Sequence, residues 1–202
     1  IERKYRKPLN VLTDQMFYSS LGANRTTYLP LKKFRKSEIV PTEKDSYYRK
    51  QLVHGFVHDM GAAMLGGVGG HAGLFSNAND VAKIMQMYLQ KGEYGGIKYF
   101  EPETIEKFNK RYYADRKVRR GLGFDKPQIR PEEKPTCGCV SEESFGHSGF
   151  TGTYTWADPE SGIVYVFLSN RVYPTMRNRV LVRSNMRTKI QEDLQNAILM
   201  ES

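Results

Sequence analysis

The sequence predicts an α+β domain in which an antiparallel sheet is flanked by helices. Residues 153–157 and 163–168 are rich in β-branched and aromatic side chains, and the turn-forming segment 158–162 between them predicts an antiparallel hairpin. Apolar residues recur at helical spacing in 78–91 and 102–110, and again near the end of the chain. These segments supply helices that can cover the sheet.

The first part of the chain is predicted to hold one helix and two irregular segments. Residues 8–21 begin at a proline, carry apolar residues at helical spacing and stop at Gly22, which indicates an amphipathic helix. Residues 23–50 are polar and basic and contain two prolines, so we expect little regular structure there. The Gly-rich run 61–73 is expected to form a loop, because each glycine costs about 0.5–1 kcal/mol in a helix or strand.

Two more helices are predicted from the residues at their ends. Asn77 is a suitable N-cap for a helix over about 78–91, which Gly92 ends. Pro102 and its acidic neighbours favour the first turn of a helix over about 102–110.

The remainder favours strands and a terminal helix. Residues 120–124 form a short candidate strand, and the unbroken apolar run 163–168 predicts a central strand covered on both faces. Tyr154 and Trp156 alternate as sheet packing requires, so we expect them in the core. Apolar residues from Met176 to Met200 line one face of a predicted helix that covers one side of the sheet.

Length and charge bound the function classes. A chain of 202 residues with 39% hydrophobic content fits one folded domain. The net charge of +9 comes from basic residues that are spread along the chain and mixed with acidic ones, and no nucleic-acid-binding motif accompanies them. A solvated basic surface is therefore favoured over nucleic-acid binding. No apolar run reaches the ~18 residues of a membrane-spanning helix, so no membrane span is expected.

The two cysteines are predicted to be free thiols. Cys137 and Cys139 lie one residue apart in a loop rich in proline and glutamate. This spacing looks too close for a relaxed disulfide and supplies too few ligands for a zinc site. We expect no metal and no cofactor, and the cysteines do not indicate a compartment.

The candidate site lies in residues 146–153, which read Gly-His-Ser-Gly-Phe-Thr-Gly-Thr and lead directly into a predicted strand. Small residues allow a backbone to approach a ligand closely, while His147 and Ser148 present an imidazole and a hydroxyl beside it. The combination predicts one wall of an acyl-transfer site. No segment of the sequence supplies the activated nucleophile that such a wall would serve.

Several segments resemble the C-terminal part of a serine hydrolase domain of the β-lactamase, penicillin-binding protein and esterase group, in its class C β-lactamase-like form. They are Val57-His58-Asp59, the Gly-rich segment 65–76, the helix opening 77–82 and the segment 146–153. With the terminal helix, the resemblance extends from about Leu9 to the end of the chain. It implies a partial β-lactamase/transpeptidase-like fold.

The resemblance also implies that part of the domain is missing. In this group the Ser of a Ser-x-x-Lys motif attacks the substrate, aided by its Lys and by the Tyr of a Tyr-x-Asn motif. Neither motif occurs here, and the nearest imitation, at 104–107, lies on a predicted surface helix. Residues 1–202 are therefore expected to form a single truncated domain whose nucleophile lies upstream or in a separate chain. Uncovered sheet edges would favour a homodimer.

The third motif of the group, Lys-Thr-Gly, corresponds to His147-Ser148-Gly149. A histidine is mostly neutral at pH 7, so a substrate carboxylate would be bound less firmly than by lysine. The resemblance then implies a small acyl, peptide or cell-wall-type substrate, as for D-aminopeptidases and esterases. Ser148 would hydrogen-bond the substrate or the base, Gly149 and Thr151 would contact the substrate, and the Phe150 N–H would be an oxyanion-hole donor.

Two residues of the Gly-rich region keep two interpretations each. His71 either borders the substrate cleft or is hydrogen-bonded within a packed loop. Asp59 either orients a loop or caps a helix, and capping is favoured by the general preference of aspartate for that position.

Two hypotheses for the function follow. In the first, the chain is part of a serine acyl hydrolase of the esterase, D-aminopeptidase or peptidase type, which works through an acyl-enzyme and is inactive alone. In the second, it is a non-catalytic glycan- or peptide-binding or scaffolding module. The segment 168–174 and the terminal helix resemble bacterial chains in which a family 3 glycoside hydrolase domain precedes a β-lactamase-like domain. That likeness implies an exported parent protein, periplasmic or extracytoplasmic, which acts on glycans.

Overall fold

The computed structural model describes residues 1–130 and 132–199. The chain divides into two compact units, Ile1–Val81 with Ser169–Val180 and Ala82–Leu168 with Leu181–Ser202. Both units combine helices with small antiparallel sheets. The predicted α+β class is therefore confirmed. Within the described ranges, no helix has both the length and the apolar character needed to cross a bilayer.

The N-terminal segment is helical as predicted, but the helix changes type. Helix α1 (Glu2–Tyr5) precedes α2 (Leu9–Thr13), which buries Leu12. The next residues, Asp14–Tyr18, form a π-helix, in which the Ser19 N–H donates to the Asp14 carbonyl at 3.0 Å. The wider turn follows from hydrogen bonds that span five residues instead of four.

A strand and the start of a hairpin occur where little regular structure was expected. Strand β1 (Pro41–Asp45) pairs antiparallel with β2 (Gln51–His54). The Asp45 carboxylate closes the connection by accepting the N–H groups of Tyr47, Tyr48 and Arg49 at 2.8–2.9 Å. The prediction of little regular structure in 23–50 was wrong here. The backbone N–H groups of this turn are bonded by a buried carboxylate, and no apolar pattern in the sequence marks the turn.

The Gly-rich region begins with a short helix and then loses regular structure. Helix α3 (Met60–Met64) starts at Asp59, whose side chain accepts the Ala62 N–H at 2.7 Å. The capping interpretation of Asp59 is therefore confirmed. The prediction of a loop over 61–73 is correct only for the residues after α3. Glycine is required at position 73 because a Cβ there would overlap the Gly67 carbonyl.

The two middle helices occur where their end residues predicted them. Helix α4 (Ala78–Leu89) is capped by Asn77, whose Oδ1 accepts the Asp80 N–H at 2.8 Å. Gly92, with φ of +101°, follows its end. A small hairpin of β3 (Glu93–Tyr94) and β4 (Ile97–Lys98) precedes α5 (Pro102–Asn109).

The main sheet of the second unit has the strand order β5-β6-β7, all antiparallel. Its strands are β5 (Phe145–Ser148), β6 (Tyr154–Asp158) and β7 (Ile163–Phe167). The predicted hairpin is confirmed, but β6 is central and β7 lies at the edge of the three described strands. The prediction of a central β7 was wrong. An unbroken apolar run indicates that the faces of a strand are covered, but it does not show whether the strand has hydrogen-bonded neighbours on both sides.

The candidate strand at 120–124 does not form. Gly121 packs against α5, where a Cβ would lie 2.6 Å from the Phe108 carbonyl oxygen, and its N–H donates to the Phe124 carbonyl at 3.1 Å. The segment is therefore a turn. Only Asp125 reaches the sheet, through an isolated bridge to Gly146.

The terminal helix is broken. Helix α6 (Val180–Ser184) and α7 (Met186–Leu199) are separated by Asn185, which has φ of +54°. The predicted start at Met176 was wrong, and the predicted end at Met200 lies outside the described residues. Helix α7 covers the sheet as expected, since Ile190 packs against the core formed by Tyr154, Trp156 and Tyr165.

Cys137 and Cys139 form a disulfide, with their Cα atoms 5.3 Å apart. The prediction of free thiols was therefore wrong. Gly138 between them has φ of +84°, a left-handed conformation that turns the backbone and brings the two side chains together. The Cys137 N–H also donates to the Gln191 side chain on α7 at 3.1 Å.

Candidate active site

The hairpin of β5 and β6 presents the two predicted side chains of the site. His147 lies opposite Thr155, and Ser148 lies opposite Tyr154. Because successive side chains of a strand alternate between faces, Ser148 shares a face with Tyr154, whereas His147 lies on the other face. Both residues are exposed at the end of the strand.

The glycines of this segment are fixed by close packing. A Cβ at Gly146 would overlap the Thr155 carbonyl and lie 2.7 Å from Cδ2 of Trp156, and one at Gly149 would overlap Oγ1 of Thr153. The hairpin thus gives a structural reason for Gly149, in addition to the predicted contact with substrate. That contact stays a prediction.

A tight turn follows β5 and carries the remaining predicted residues. The Gly149 N–H donates to the Thr153 carbonyl at 2.8 Å, and the Gly149 carbonyl accepts the Gly152 N–H at 3.0 Å. Phe150 and Thr151 therefore form the tip of the turn, where the Phe150 side chain is 61% exposed. The role of the Phe150 N–H in an oxyanion hole stays a prediction.

Ser148 borders a pocket of about 310 Å³ in the second unit. The sheet contributes Ser148, Tyr154 and Trp156 to its wall. The other lining residues are Arg119, Asp125, Glu133, Lys134 and Pro135. An exposed hydroxyl beside a pocket of this size can hydrogen-bond a small polar ligand.

A charged network lines the pocket opposite the sheet. Arg119 donates to both carboxylate oxygens of Asp125, at 2.8 and 2.9 Å, and lies 3.3 Å from Oε1 of Glu133. The hydrogen bonds to Asp125 are the main cause of a raised pKa of the Arg119 guanidinium, and Glu133 adds to it. The backbone of Asp125 bridges Gly146, so the network is attached to β5. The sequence analysis did not predict this network, because it counted Arg119 among the basic residues that are spread along the chain.

His147 is held by two hydrogen bonds. Its Nε2 lies 2.8 Å from Nη1 of Arg120, and its Nδ1 lies 2.8 Å from the Ser148 carbonyl oxygen. A guanidinium can only donate, so Nε2 is the acceptor and the proton is on Nδ1. The contacts therefore assign a neutral imidazole. Arg120 was not predicted as a site residue.

Tyr154 and Trp156 belong to the core, as predicted. The Tyr154 hydroxyl lies 3.0 Å from Oε1 of Gln191 and 3.1 Å from the Pro135 carbonyl oxygen, and burial raises the pKa of the tyrosine well above its usual value. The Trp156 indole N–H donates to Oγ of Ser144 at 3.0 Å. Neither ring supplies a base to the pocket.

His71 belongs to the first unit, where its Nε2 lies 3.0 Å from Oδ1 of Asp59. The Ala62 N–H and the imidazole together hold the pKa of the Asp59 carboxyl below its usual value. His71 is thus hydrogen-bonded, but its side chain is 57% exposed and is not packed within the loop. Its place at a substrate cleft stays a prediction. In the described part of the chain, no group of three or more His, Cys, Asp or Glu side chains could hold a metal ion.

Sequence comparison identifies the family. The family model named Beta-lactamase matches residues 1–185. Over 191 residues the chain is 35% identical to a protein of Salmonella agona (strain SL483) named "Putative D-alanyl-D-alanine carboxypeptidase", and the match covers 88% of this chain and 44% of that protein. The chain thus spans less than half the length of the curated relatives it matches.

Solved structures agree with this assignment. A beta-lactamase from Mycobacterium bovis matches 98% of this chain and 59% of its own, with a TM-score of 0.62 and 15% identity. A penicillin-binding protein homolog from Caulobacter crescentus matches 84% of this chain and 48% of its own, with a TM-score of 0.55 and 18% identity. At these identities the likeness shows the fold. Together with the family model, which covers most of the chain, it establishes that the chain belongs to the beta-lactamase family of serine hydrolases.

Proposed function

We propose that this chain forms the sheet-bearing part of a serine acyl hydrolase that acts on peptide or cell-wall-type substrates. Family membership and the names of the Salmonella relatives support the substrate class. The observation that carries the proposal is the exposed end of β5, where Ser148 borders a pocket of about 310 Å³.

In this proposal the chain supplies one wall of the site. The Ser-x-x-Lys and Tyr-x-Asn motifs do not occur in its sequence, so the nucleophile and its base belong to another segment. The nucleophilic oxygen attacks the acyl carbonyl, the amine or alcohol leaves, and water then hydrolyses the acyl-enzyme. Ser148 hydrogen-bonds the substrate, the Phe150 N–H donates a hydrogen bond to the developing oxyanion, and Gly149 and Thr151 contact the substrate beside it.

The experiment compares the 202-residue chain with a longer form that carries a Ser-x-x-Lys motif. The chain alone should show no turnover of nitrocefin, p-nitrophenyl esters or D-amino-acid amides, whereas the longer form should hydrolyse at least one of them. Ser148→Ala should lower kcat/KM of the longer form about 10- to 100-fold. Ser37→Ala, which changes an exposed serine of the first unit, is the matched control.

Two outcomes would contradict the proposal. Saturable hydrolysis by the chain alone that Ser148→Ala abolishes would place the nucleophile in this chain. Peptide or glycan binding without turnover in the longer form would favour the non-catalytic binding or scaffolding module.

A further inference from the structure

Cys137, Gly138 and Cys139 form a small ring in the second unit that is closed by the disulfide. The disulfide spans one residue, and the sequence contains no other cysteine. Both cysteines are partly exposed, and Gly138 between them is exposed and has no side chain to shield the sulfurs. A disulfide is attacked by a thiolate at a rate that depends on access to the sulfurs. A dissolved thiol can therefore reach this bond in the folded protein.

The loop that carries the ring is also held by hydrogen bonds on both sides. The Cys137 N–H donates to Oε1 of Gln191 at 3.1 Å. After the ring, the Asp158 carboxylate accepts the Ser141 N–H at 3.0 Å and the Ser141 hydroxyl at 2.6 Å. A disulfide stabilises a fold mainly by constraining the unfolded chain, and a short ring constrains it least. Reduction of this disulfide should therefore leave the fold intact.

The hydrogen bonding of the ring distinguishes its two sulfurs. The Cys139 N–H donates to Sγ of Cys137 at 3.3 Å. An N–H group that faces a sulfur stabilises negative charge on it. When a thiolate attacks a disulfide, the sulfur that leaves takes the negative charge, and a better stabilised leaving thiolate speeds the step. Sγ of Cys137 is therefore the better leaving group, and Sγ of Cys139 is the atom attacked.

We propose that Cys137 and Cys139 form a redox-active pair that exchanges with thiols, an activity that is independent of acyl hydrolysis. The co-reactant is a monothiol or a dithiol. Its thiolate attacks Sγ of Cys139 and forms a mixed disulfide, while the S–S bond of the ring breaks and Cys137 leaves as a thiolate.

A second thiolate of the co-reactant completes the exchange. It attacks the co-reactant sulfur of the mixed disulfide, and Cys139 leaves as a thiolate. The two protein thiolates take up the two protons that the co-reactant thiols released. The protein disulfide is thus reduced by two electrons, and the co-reactant is oxidised to a disulfide.

The test treats the oxidised 202-residue chain with glutathione, stops the exchange with acid and locates the adducts by tandem mass spectrometry. Glutathione should be found on Cys139 at least about threefold more often than on Cys137. An excess of dithiothreitol should reduce both cysteines without denaturant, as counted by labelling with N-ethylmaleimide. Far-UV circular dichroism and the fluorescence of Trp156, the single tryptophan of the sequence, should stay as in the oxidised protein.

Two single-cysteine variants test the difference between the sulfurs. Cys139→Ser keeps the backbone N–H of residue 139, which faces Sγ of Cys137. The remaining thiol of this variant should react with a chromogenic aromatic disulfide at least about threefold faster than the Cys139 thiol in Cys137→Ser. Equal rates would contradict the role of this N–H group.

A third variant changes the backbone of the ring without changing its sulfurs. Oγ1 of Thr136 accepts the Gly138 N–H at 3.2 Å and donates to Oε1 of Gln128 at 2.8 Å. Because these bonds hold the ring in shape, Thr136→Val should slow closure of the disulfide by oxidised glutathione about threefold. Thr104→Val, at an exposed position on α5, is the matched control and should leave the rate unchanged.

A disulfide that dithiothreitol reduces only after unfolding in urea would overturn the proposal, and so would loss of the folded signals on reduction. Reduced thiols that oxidised glutathione does not join again would overturn it as well. Adducts found mainly on Cys137 would overturn the order in which the two cysteines react. None of these results depends on hydrolysis by the longer form, so failure of this proposal and failure of the proposed function are distinguishable.

Discussion

The burial of Lys126 should measurably lower the stability of the fold. Its side chain is almost fully buried, and Nζ donates to the Glu143 carbonyl at 2.9 Å. The paired Glu143 carboxylate oxygen is 3.9 Å away, on a side chain that is 76% exposed. Burial lowers the pKa of Lys126 from 10.5 to about 8.

This pKa gives the size of the expected effect. Since one pKa unit corresponds to about 1.4 kcal/mol, the charged form costs the folded state about 3 kcal/mol at neutral pH. Lys126→Met keeps most of the aliphatic volume and removes the charge, but it also loses a hydrogen bond of about 1 kcal/mol. We expect the variant to gain about 2 kcal/mol in the free energy of unfolding at pH 7.

The gain should depend on pH in a defined direction. Between pH 8 and 10.5 the unfolded chain binds more protons at this lysine than the folded chain, so the stability of the unmodified protein rises with pH in this window relative to the variant. The advantage of Lys126→Met should therefore fall to about zero or below near pH 10.5.

Urea unfolding of both proteins from pH 7 to 10.5, followed by circular dichroism, measures the difference. Lys107→Met, at an exposed position on α5, is the control and should change stability by less than about 0.5 kcal/mol. A Lys126→Met variant that is less stable than the unmodified protein at pH 7, or a difference that does not change with pH, would refute the reasoning.

Three further predictions concern the two units and their edges. Asp45→Asn should cost about 2 kcal/mol at pH 7, because backbone donors and Arg49 more than offset burial and keep the pKa of Asp45 well below its usual value. That stabilisation is present above about pH 4 and is lost as the carboxylate protonates, so the difference in unfolding free energy between the two proteins, measured with urea, should shrink at lower pH. A difference under about 0.5 kcal/mol at pH 7 would argue against this role of the carboxylate. Gly146→Ala should cost about 3 kcal/mol in thermal unfolding, because the added Cβ overlaps Trp156. Gly123→Ala is the control and should cost less than about 1 kcal/mol, because a Cβ there meets nothing within 4 Å. Equal costs would be inconsistent with this packing. The described edge of β7 should promote self-association, which light scattering coupled to size-exclusion chromatography detects, and a monodisperse monomer at high concentration would count against it.

Elements with strong local signals were predicted correctly from the sequence. Asn77 caps α4 through its own side chain, and the turn-forming residues 158–162 join β6 to β7, so each signal lies within the element that it defines. The exposure of His147 and Ser148 also followed from their place among glycines at a strand end.

Features that depend on distant partners were missed. Arg120 meets His147 across 27 residues, and no local pattern joins them. The β1 and β2 hairpin depends on how one carboxylate, that of Asp45, is shared among three backbone donors. The disulfide depends on the conformation of Gly138, which the spacing of the cysteines does not reveal.

The side chain of Gln191 links three parts of the second unit. Its Oε1 accepts both the Cys137 N–H at 3.1 Å and the Tyr154 hydroxyl at 3.0 Å, and Gln191 itself is buried. Loss of this one oxygen would take the acceptor from the Cys137 N–H, and it would leave the Tyr154 hydroxyl with the Pro135 carbonyl at 3.1 Å as its acceptor. One side chain on α7 therefore ties the loop of Cys137 to the central strand of the sheet, so a substitution of Gln191 is expected to disturb both places at once.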